Sequence, residues 1–387
     1  VSTYRIPTYQ TSCAFMDVAD PLAALRTRSA DQRLYNFCAG PAALPLPVLE
    51  ELQEELPVYH HEGASMLEIS HRSDAYDAVE ESARHRIKSL LGLDDAWQVL
   101  FLQGGASMQF HQVPLNMLPP DGSADYLLTG RWSENALEEA QLLGTARAAT
   151  SSADKNHTYI PEVTPDVLDP DAAYVHFTSN NTIYGTQYRT APAADVPLVV
   201  DASSDFLSRP MDMDRYGLIY AGAQKNVGPA GVVIVLVKDS FLAQRNQPLP
   251  TMLDYGTHAR KRFNTPPVFA IYLVEKVMRW LESHGGVGAM AQRNEQKAAR
   301  LYNRIDRTDF YTGTTRIADR SLMNATFSTP SEALDAQFCR EAEAAGLLAL
   351  KGHRSVGGIR ASIYNACPPE AVEALVQFMD HFEAVNG

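Results

Sequence analysis

Lys225 is the residue around which reactive chemistry gathers in this sequence. It stands in Leu218-Ile219-Tyr220-Ala221-Gly222-Ala223-Gln224-Lys225-Asn226-Val227-Gly228-Pro229-Ala230-Gly231, at a turn joining two apolar, strand-like runs. Small neighbours leave room for a flat ring, and an apolar setting disfavours the ammonium charge and lowers the amine pKa. A lysine so placed can attack a carbonyl and form an imine. The same pattern also suits a surface lysine in a hairpin turn, and this short segment alone does not choose between the two.

Asp201 shifts the balance. It ends the run Pro197-Leu198-Val199-Val200-Asp201, 24 residues before Lys225. A carboxylate at the carboxyl end of a strand, where α/β folds place their ligands, can face a pyridine nitrogen and keep the ring protonated as an electron sink. Capping of the following loop is the common alternative use of such an Asp. Asp followed by Lys on adjacent buried strands points to pyridoxal 5′-phosphate (PLP) as the aldehyde. Its phosphate needs an anion site, and Gln103-Gly104-Gly105-Ala106-Ser107, between a strand and a helix, offers backbone N–H groups at a helix start. Small residues at such a turn also serve packing alone. There is no GxxxxGK[ST] loop, and Gly286-Val287-Gly288 lacks the third glycine and preceding strand of a dinucleotide fingerprint.

Other candidates are weaker taken singly. Trp132 can stack on a ring or simply pack. Thr182, in Asn180-Asn181-Thr182-Ile183-Tyr184-Gly185, can reach a ring hydroxyl or bond its own backbone. Cationic residues form two groups, Ser70-His71-Arg72-Ser73 and Lys351-Gly352-His353-Arg354-Ser355 with Arg360. Arginine forks suit phosphate and carboxylate, although a single surface Arg is usually just solvated charge. His60, His61 and His71 lack metal-ligand spacing on a helix, so no metal is expected.

The elements that must position these residues alternate in type. Strands are expected at Gln98–Leu102, Tyr126–Leu128, Tyr174–Phe177, Leu198–Val200, Leu218–Ala221 and Val232–Val237, and helices at Met108–Leu118 and Glu134–Leu143. Uninterrupted apolar runs suit strands buried on both faces, hence an α/β fold with a large, doubly wound, mainly parallel sheet. After Pro267 the pattern changes. Helices at Val268–His284, Gly288–Ile305, 332–345 and 369–385, with strands at 322–327 and 359–364, read as a smaller α+β domain.

The chain of 387 residues exceeds what one core usually fills. A net charge of −13 argues against nucleic acid or an anionic membrane as a general partner, without forbidding a local basic pocket. No apolar run approaches the roughly 18 residues of a membrane span. Cys13, Cys38, Cys339 and Cys367 are too scattered for a disulfide scaffold or zinc set, which fits a reduced cytoplasm. The first 30 residues lack the design of a signal peptide.

From Asn36-Phe37-Cys38-Ala39-Gly40-Pro41-Ala42 to the C-terminus the sequence resembles the phosphoserine aminotransferases, a family of dimeric, class-V, fold-type-I PLP enzymes. The resemblance includes Ile69-Ser70-His71-Arg72-Ser73, Gln224-Lys225-Asn226-Val227-Gly228-Pro229, Phe263-Asn264-Thr265-Pro266-Pro267 and Gly352 through Ser362. It implies an N-terminal extension over residues 1–35, a large PLP-binding domain over 46–287, and a small domain from 36–45 and 288–387. It also implies that Lys225 holds PLP, Asp201 pairs with the pyridine nitrogen, Thr182 with the ring hydroxyl, and Trp132 stacks on the ring. Ala106, Ser107 and Gln224 would hold the cofactor phosphate, joined by Asn264 and Thr265 of a neighbouring subunit in a homodimer with shared sites. Arg360 would take the substrate α-carboxylate, and His353 and Arg354, with a partner's His71 and Arg72, its distal anion. The implied substrates are L-glutamate and 3-phosphohydroxypyruvate; some relatives also serve a phosphorylated hydroxythreonine in PLP synthesis. Two positions depart from the pattern: Ala106-Ser107 stands where many relatives carry Gly-Arg, and Ala39 where some carry Ser.

Overall fold

The computed structural model describes residues 33–387; the rest of the expected N-terminal extension lies outside the described residues. In chain order they form β1 (Tyr35–Asn36), α1 (Leu46–Glu55), α2 (Asp74–Leu91), β2 (Trp97–Leu102), α3 (Gly105–Met117), β3 (Ser123–Leu128), α4 (Arg131–Gln141), β4 (Thr145–Ser151) and β5 (Val175–Thr178). The short pair β6 (Asn180–Asn181) and β7 (Thr186–Gln187) precedes β8 (Leu198–Asp201), β9 (Tyr216–Gly222) and β10 (Val233–Lys238). Two long helices, α5 (Val268–Ser283) and α6 (Gly286–Ile305), lead to β11 (Thr312–Gly313), β12 (Asn324–Ser328), α7 (Glu332–Ala344), β13 (Leu347–Leu348), β14 (Ile359–Ser362) and α8 (Pro369–Asn386).

Seven strands make one sheet in the order β2-β10-β9-β8-β5-β3-β4. All run parallel except β10, which is antiparallel to both of its neighbours. The apolar runs read as doubly buried strands are so because helices cover both faces. Val99, Phe177, Val200, Ile219 and Ile234 pack with Tyr76, Ile87, Val274 and Met278 of α2 and α5. Leu100, Tyr126, Val199, Leu218 and Val235 pack with Phe110, Val113, Ala136 and Leu137 of α3 and α4. Each fully buried large apolar side chain contributes about 1.5–3 kcal/mol, so alternate residues of one strand serve two cores at once.

The unread elements have physical reasons. Strand β4, Thr-Ala-Arg-Ala-Ala-Thr-Ser, sits at the sheet edge with most residues exposed, so it carries no apolar signal. Helix α2 is amphipathic but polar overall; its N-cap Ser73 accepts from Tyr76 N at 3.3 Å, and Gly92 ends it at φ 65°.

A third core is separate from the large sheet. Phe37, Leu301, Ile305, Phe327, Phe338, Phe378 and Phe382 pack between the antiparallel sheet β11-β12-β14 and helices α6, α7 and α8. Strand β1 joins this end of the molecule by pairing in parallel with β13, so Tyr35 belongs to the folded body and not to the extension. Lys297, buried on α6, donates to the carbonyls of Ile363, Tyr364 and Cys367 at 2.7–3.1 Å. That bond set holds the turn after β14, whose Asn365 N donates to Asn226 Oδ1, beside Lys225, at 3.0 Å.

Candidate active site

A cavity of about 480 Å³ opens at the carboxyl ends of the parallel strands. Ala106, Ser107, Trp132, Thr182, Asp201, Gln224, Lys225, His353 and Arg360 all line it. These are nine of the sequence-derived candidates, drawn from segments far apart in the chain.

Lys225 sits in the turn between β9 and β10. The turn is fixed at its base by Ala223 N donating to Val232 O, 3.1 Å, and on one side by Ala42 N donating to Gln224 O, 2.8 Å. Asn226 Nδ2 donates to Ser204 O at 3.0 Å and so anchors the residue after the lysine. Gly40 passes close: a Cβ there would stand 3.6 Å from Lys225 Cγ, with φ at +152°. The amine lies 5.8 Å from the centre of the Trp132 ring. Burial lowers the Lys225 pKa, and the Asp201 carboxylate opposes that shift.

Asp201 ends β8 and is 5 % exposed. Its Oδ1 accepts from Ser203 N at 2.9 Å, and Ser203 Oγ accepts in turn from Gly222 N at 3.0 Å. Burial pushes the Asp201 carboxyl up, against the attraction of Lys225. Both groups are thus held toward neutrality until a partner of suitable charge enters. A ring that carries a positive nitrogen beside Asp201 restores the carboxylate charge.

The start of α3 offers backbone donors to an anion. Gly104 and Gly105 both take left-handed conformations, φ +89° and +62°, and no side chain caps the helix. The first backbone N–H groups of a helix have no intrahelical acceptor, so the amides here point at the cavity end with the positive pole of the helix behind them. Across the cavity, Trp132 Nε1 donates to Thr182 Oγ1 at 3.1 Å. Arg360 Nη1 donates to Thr182 O at 2.9 Å. One threonine therefore positions the aromatic wall and the guanidinium together. His353 Nδ1 accepts from Ser355 N at 3.2 Å. An amide can only donate, so Nε2 carries the ring proton. Burial, then the charges of Arg360 and Arg354, lower the His353 pKa.

Five candidates are not brought to this cavity within the single chain. Asn264 Nδ2 donates to Gln103 Oε1 at 3.0 Å, and Thr265 is exposed. His71 and Arg72 lie in the loop before α2, Arg72 exposed, and Arg354 points no atom into the cavity lining. Reading from sequence also missed contributors. Ser203, Phe110, Gly40 and Ile183 line the cavity; only Ser203, two residues beyond Asp201, had a local signal. Among the described residues no group of three or more His, Cys, Asp or Glu could hold a metal ion. No helix among them is long and apolar enough to cross a membrane.

The residues present fit PLP. A Cβ at Gly222 would lie 2.7 Å from Gln224 Oε1, so a side chain there would displace the end of Gln224 from the cradle. A primary amine, a buried carboxylate, an aromatic wall and an uncapped helix start match an aldehyde, a ring nitrogen, a planar ring and a phosphate. The fold and this site define a PLP-dependent transaminase of fold type I.

Comparisons with known proteins agree. Residues 34–375 match the family model described as aminotransferase class-V. The chain is 52% identical over 354 residues to the phosphoserine aminotransferase of Geobacillus kaustophilus, covering 91% of this chain and 98% of that protein. It is 54% identical over 361 residues to that of Desulfosudis oleivorans, covering 92% and 99%. Among solved structures, phosphoserine aminotransferase from Bacillus circulans subsp. alkalophilus superposes with a TM-score of 0.89 at 48% identity, covering 92% of this chain and 99% of that one. The chain belongs to the class-V aminotransferases, within the group whose members are named phosphoserine aminotransferase.

Proposed function

We propose that this chain transfers the amino group of L-glutamate to 3-phosphohydroxypyruvate, giving O-phospho-L-serine and 2-oxoglutarate. The observation that carries the reading is the convergence of Lys225, Asp201 and Arg360 on one cavity, in a chain about half identical to phosphoserine aminotransferases over almost its whole length. PLP supplies the electron sink for the bond changes at the substrate α-carbon. Lys225 Nζ holds the cofactor in the resting enzyme and then carries the α-proton from and back to the substrate carbon. Its lowered pKa favours the neutral amine that this work needs. Asp201 keeps the ring nitrogen protonated, Thr182 receives the ring hydroxyl, and Trp132 stacks on one face. The amides and side chains of Ala106, Ser107 and Gln224 hold the phosphate.

Arg360 binds the α-carboxylate common to the amino donor and the ketoacid acceptor. His353 donates through Nε2 to the distal anion, assisted by Arg354. In this reading His71, Arg72, Asn264 and Thr265 complete the site of the other subunit of a homodimer. Their absence from the lining of the chain's own cavity supports that arrangement. The division into a large unit over 46–287 and a small unit from 36–45 and 288–387 belongs to the same reading. The separate core around Phe37 and Phe338 supports it. The same chemistry would accept a phosphorylated hydroxythreonine, and the cytoplasm is its expected place.

A coupled assay of glutamate with 3-phosphohydroxypyruvate and, in parallel, with the unphosphorylated ketoacid tests the proposal. Clear preference for the phosphorylated substrate is expected. Equal turnover of both would leave a general class-V transaminase and end the assignment to phosphoserine.

A further inference from the structure

Beneath Asp201 the sheet carries polar groups that the reaction as described does not use. Thr178 on β5 is in register with Asp201 on β8, which is in register with Tyr220 on β9. His176 lies two residues before Thr178, in register with Val199. Side chains two apart on a strand share a face, and registered neighbours share it too. Val199, Tyr220 and Tyr126, paired with His176 on the other side, pack in the core under α3 and α4. All four polar residues therefore stand on the face that carries the Asp201 carboxylate.

His176 is 1 % exposed. Its ring is stacked between Tyr126, 4.8 Å and 26° away, and Tyr220, 5.9 Å and 25° away. Nε2 lies 2.8 Å from Tyr220 Oη. Burial alone drives the His176 pKa down to about 3, so the imidazole is neutral and works only through hydrogen bonds. When Tyr220 Oη donates to Nε2, Nδ1 carries the proton. That Nδ1 is buried with no partner in the protein, and so is Thr178 Oγ1. Leaving a buried polar atom unmade costs about 1–3 kcal/mol. Two such atoms on one face beside a buried carboxylate are hard to explain as packing, because Val and Phe would fill the same space without that cost.

We propose that Thr178 and His176, the latter oriented by Tyr220, are positioning residues that hold the Asp201 carboxylate in place and charged against the cofactor ring nitrogen, directly or through one ordered water. The inference rests on the reading of Asp201 as the ring-nitrogen partner. Lys225 and Asp205 act on Asp201 through their charges, and Tyr220 lies beside it. Asp205 is itself fixed by Ser179, by Gln187 at 3.0 Å and by Arg209 at 3.6 Å. Thr178 and His176 are neutral, so they add donors without adding charge.

The test is a set of near-isosteric variants, Thr178→Val, His176→Phe and Tyr220→Phe, with Thr178→Ser as the conservative control and Asp201→Ala run alongside. Two readouts besides turnover are taken on the holoenzyme: the Kd for PLP, and the midpoint of the pH-dependent visible absorbance. Loss of the donors leaves Asp201 less able to keep the ring nitrogen charged. A less electron-withdrawing ring makes the Lys225 link more basic. We expect PLP to bind about three- to tenfold more weakly and the midpoint to rise by about half a unit or more. Thr178→Ser should restore both. A merely structural role would lower the melting temperature and leave the midpoint where it was. If Asp201→Ala moves the midpoint while all three variants and their Kd values match the parent, the positioning role is overturned and the reading of Asp201 stands. If Asp201→Ala itself leaves the midpoint unmoved, both fall together.

Discussion

Lys225 and Asp201 are two oppositely charged groups that burial pushes toward neutrality, and each is opposed by the other. Removing either one should therefore have unequal consequences. In the proposed mechanism Lys225→Ala takes away both the covalent anchor and the proton carrier, so the borohydride-reducible chromophore and nearly all turnover should vanish; reducible PLP at another lysine would show the anchor to be misplaced. Asp201→Asn keeps the shape, and PLP should still bind. Slower α-proton abstraction, by about 100-fold or more, is expected if electrostatic stabilisation of the ring dominates; single-turnover kinetics with glutamate reads this directly. Arg354 and His353, proposed for the distal end of the substrate, differ in kind. Arg354→Ala should raise KM for 3-phosphohydroxypyruvate by about tenfold or more and affect glutamate less, because a dianion depends more on local positive charge. His353 is held below its ordinary range by burial and two arginines. It is neutral at pH 7 and gains charge only on acidification. His353→Asn should weaken the phosphorylated ketoacid without altering the slope of log KM against pH between about pH 7 and 8. A slope that flattens in the variant would mean that the imidazolium does the binding.

At the scale of elements, the proposed phosphate site is made of backbone at the junction of β2 with α3. Gly104 is at φ +89°, and an added Cβ would meet Met108 Cβ at 2.5 Å. The left-handed conformation alone costs an L-residue about 1–2 kcal/mol, and the clash adds to it. Gly104→Ala should lower the melting temperature and weaken PLP binding together, since the turn that strains is the turn that aims the amides. Melting curves of the apoenzyme and holoenzyme separate the two effects: a loss of stability with unchanged PLP affinity would show that the helix start does not touch the phosphate. The neighbouring Ser107 was legible from residue pattern only as part of a small-residue turn, and its place at the phosphate came from the resemblance. Its place in the cavity follows from α3 packing Phe110 and Val113 on the sheet. Strand β4 was not legible at all, because an edge strand needs no apolar pattern. Helix α2 was missed for a related reason: its buried stripe is thin and its surface strongly polar.

Across the whole molecule, the site is assembled from two ends of the fold. Arg360 on β14 belongs to the element set around Phe327 and Phe338, whereas Lys225 and Asp201 belong to the large sheet. Thr182 bonds Arg360 from the sheet side, and Asn365 meets Asn226 from the other. Phe263, next to Asn264, and Leu67, in the loop before α2, are exposed in the single chain. If Asn264 and Thr265 serve the neighbour's cofactor, PLP bound only by the dimer pulls monomers together by mass action. Sedimentation or light scattering on dilution should then show the holoenzyme dissociating at lower concentration than the apoenzyme. Active, PLP-loaded monomers would exclude shared sites.

The chain itself determined what local order can encode. Lys225 among small residues, Asp201 at the end of an apolar run, and Gly104-Gly105 before a helix stand out as candidates by type and spacing, because strand ends and helix starts are local events; the roles assigned to them come from the family resemblance. The doubly buried strands were equally plain, since burial on both faces leaves uninterrupted apolar runs. Tertiary structure alone decided which distant residues meet. Arg360 and His353 come within reach of Lys225 only through the packing of the third core, and Phe37 joins that core across most of the chain length. Thr178 and His176 read as ordinary strand residues until sheet register set Thr178 beside Asp201 and His176 within reach of Tyr220. Register and packing depend on contacts between segments far apart in sequence, and no local periodicity carries that information.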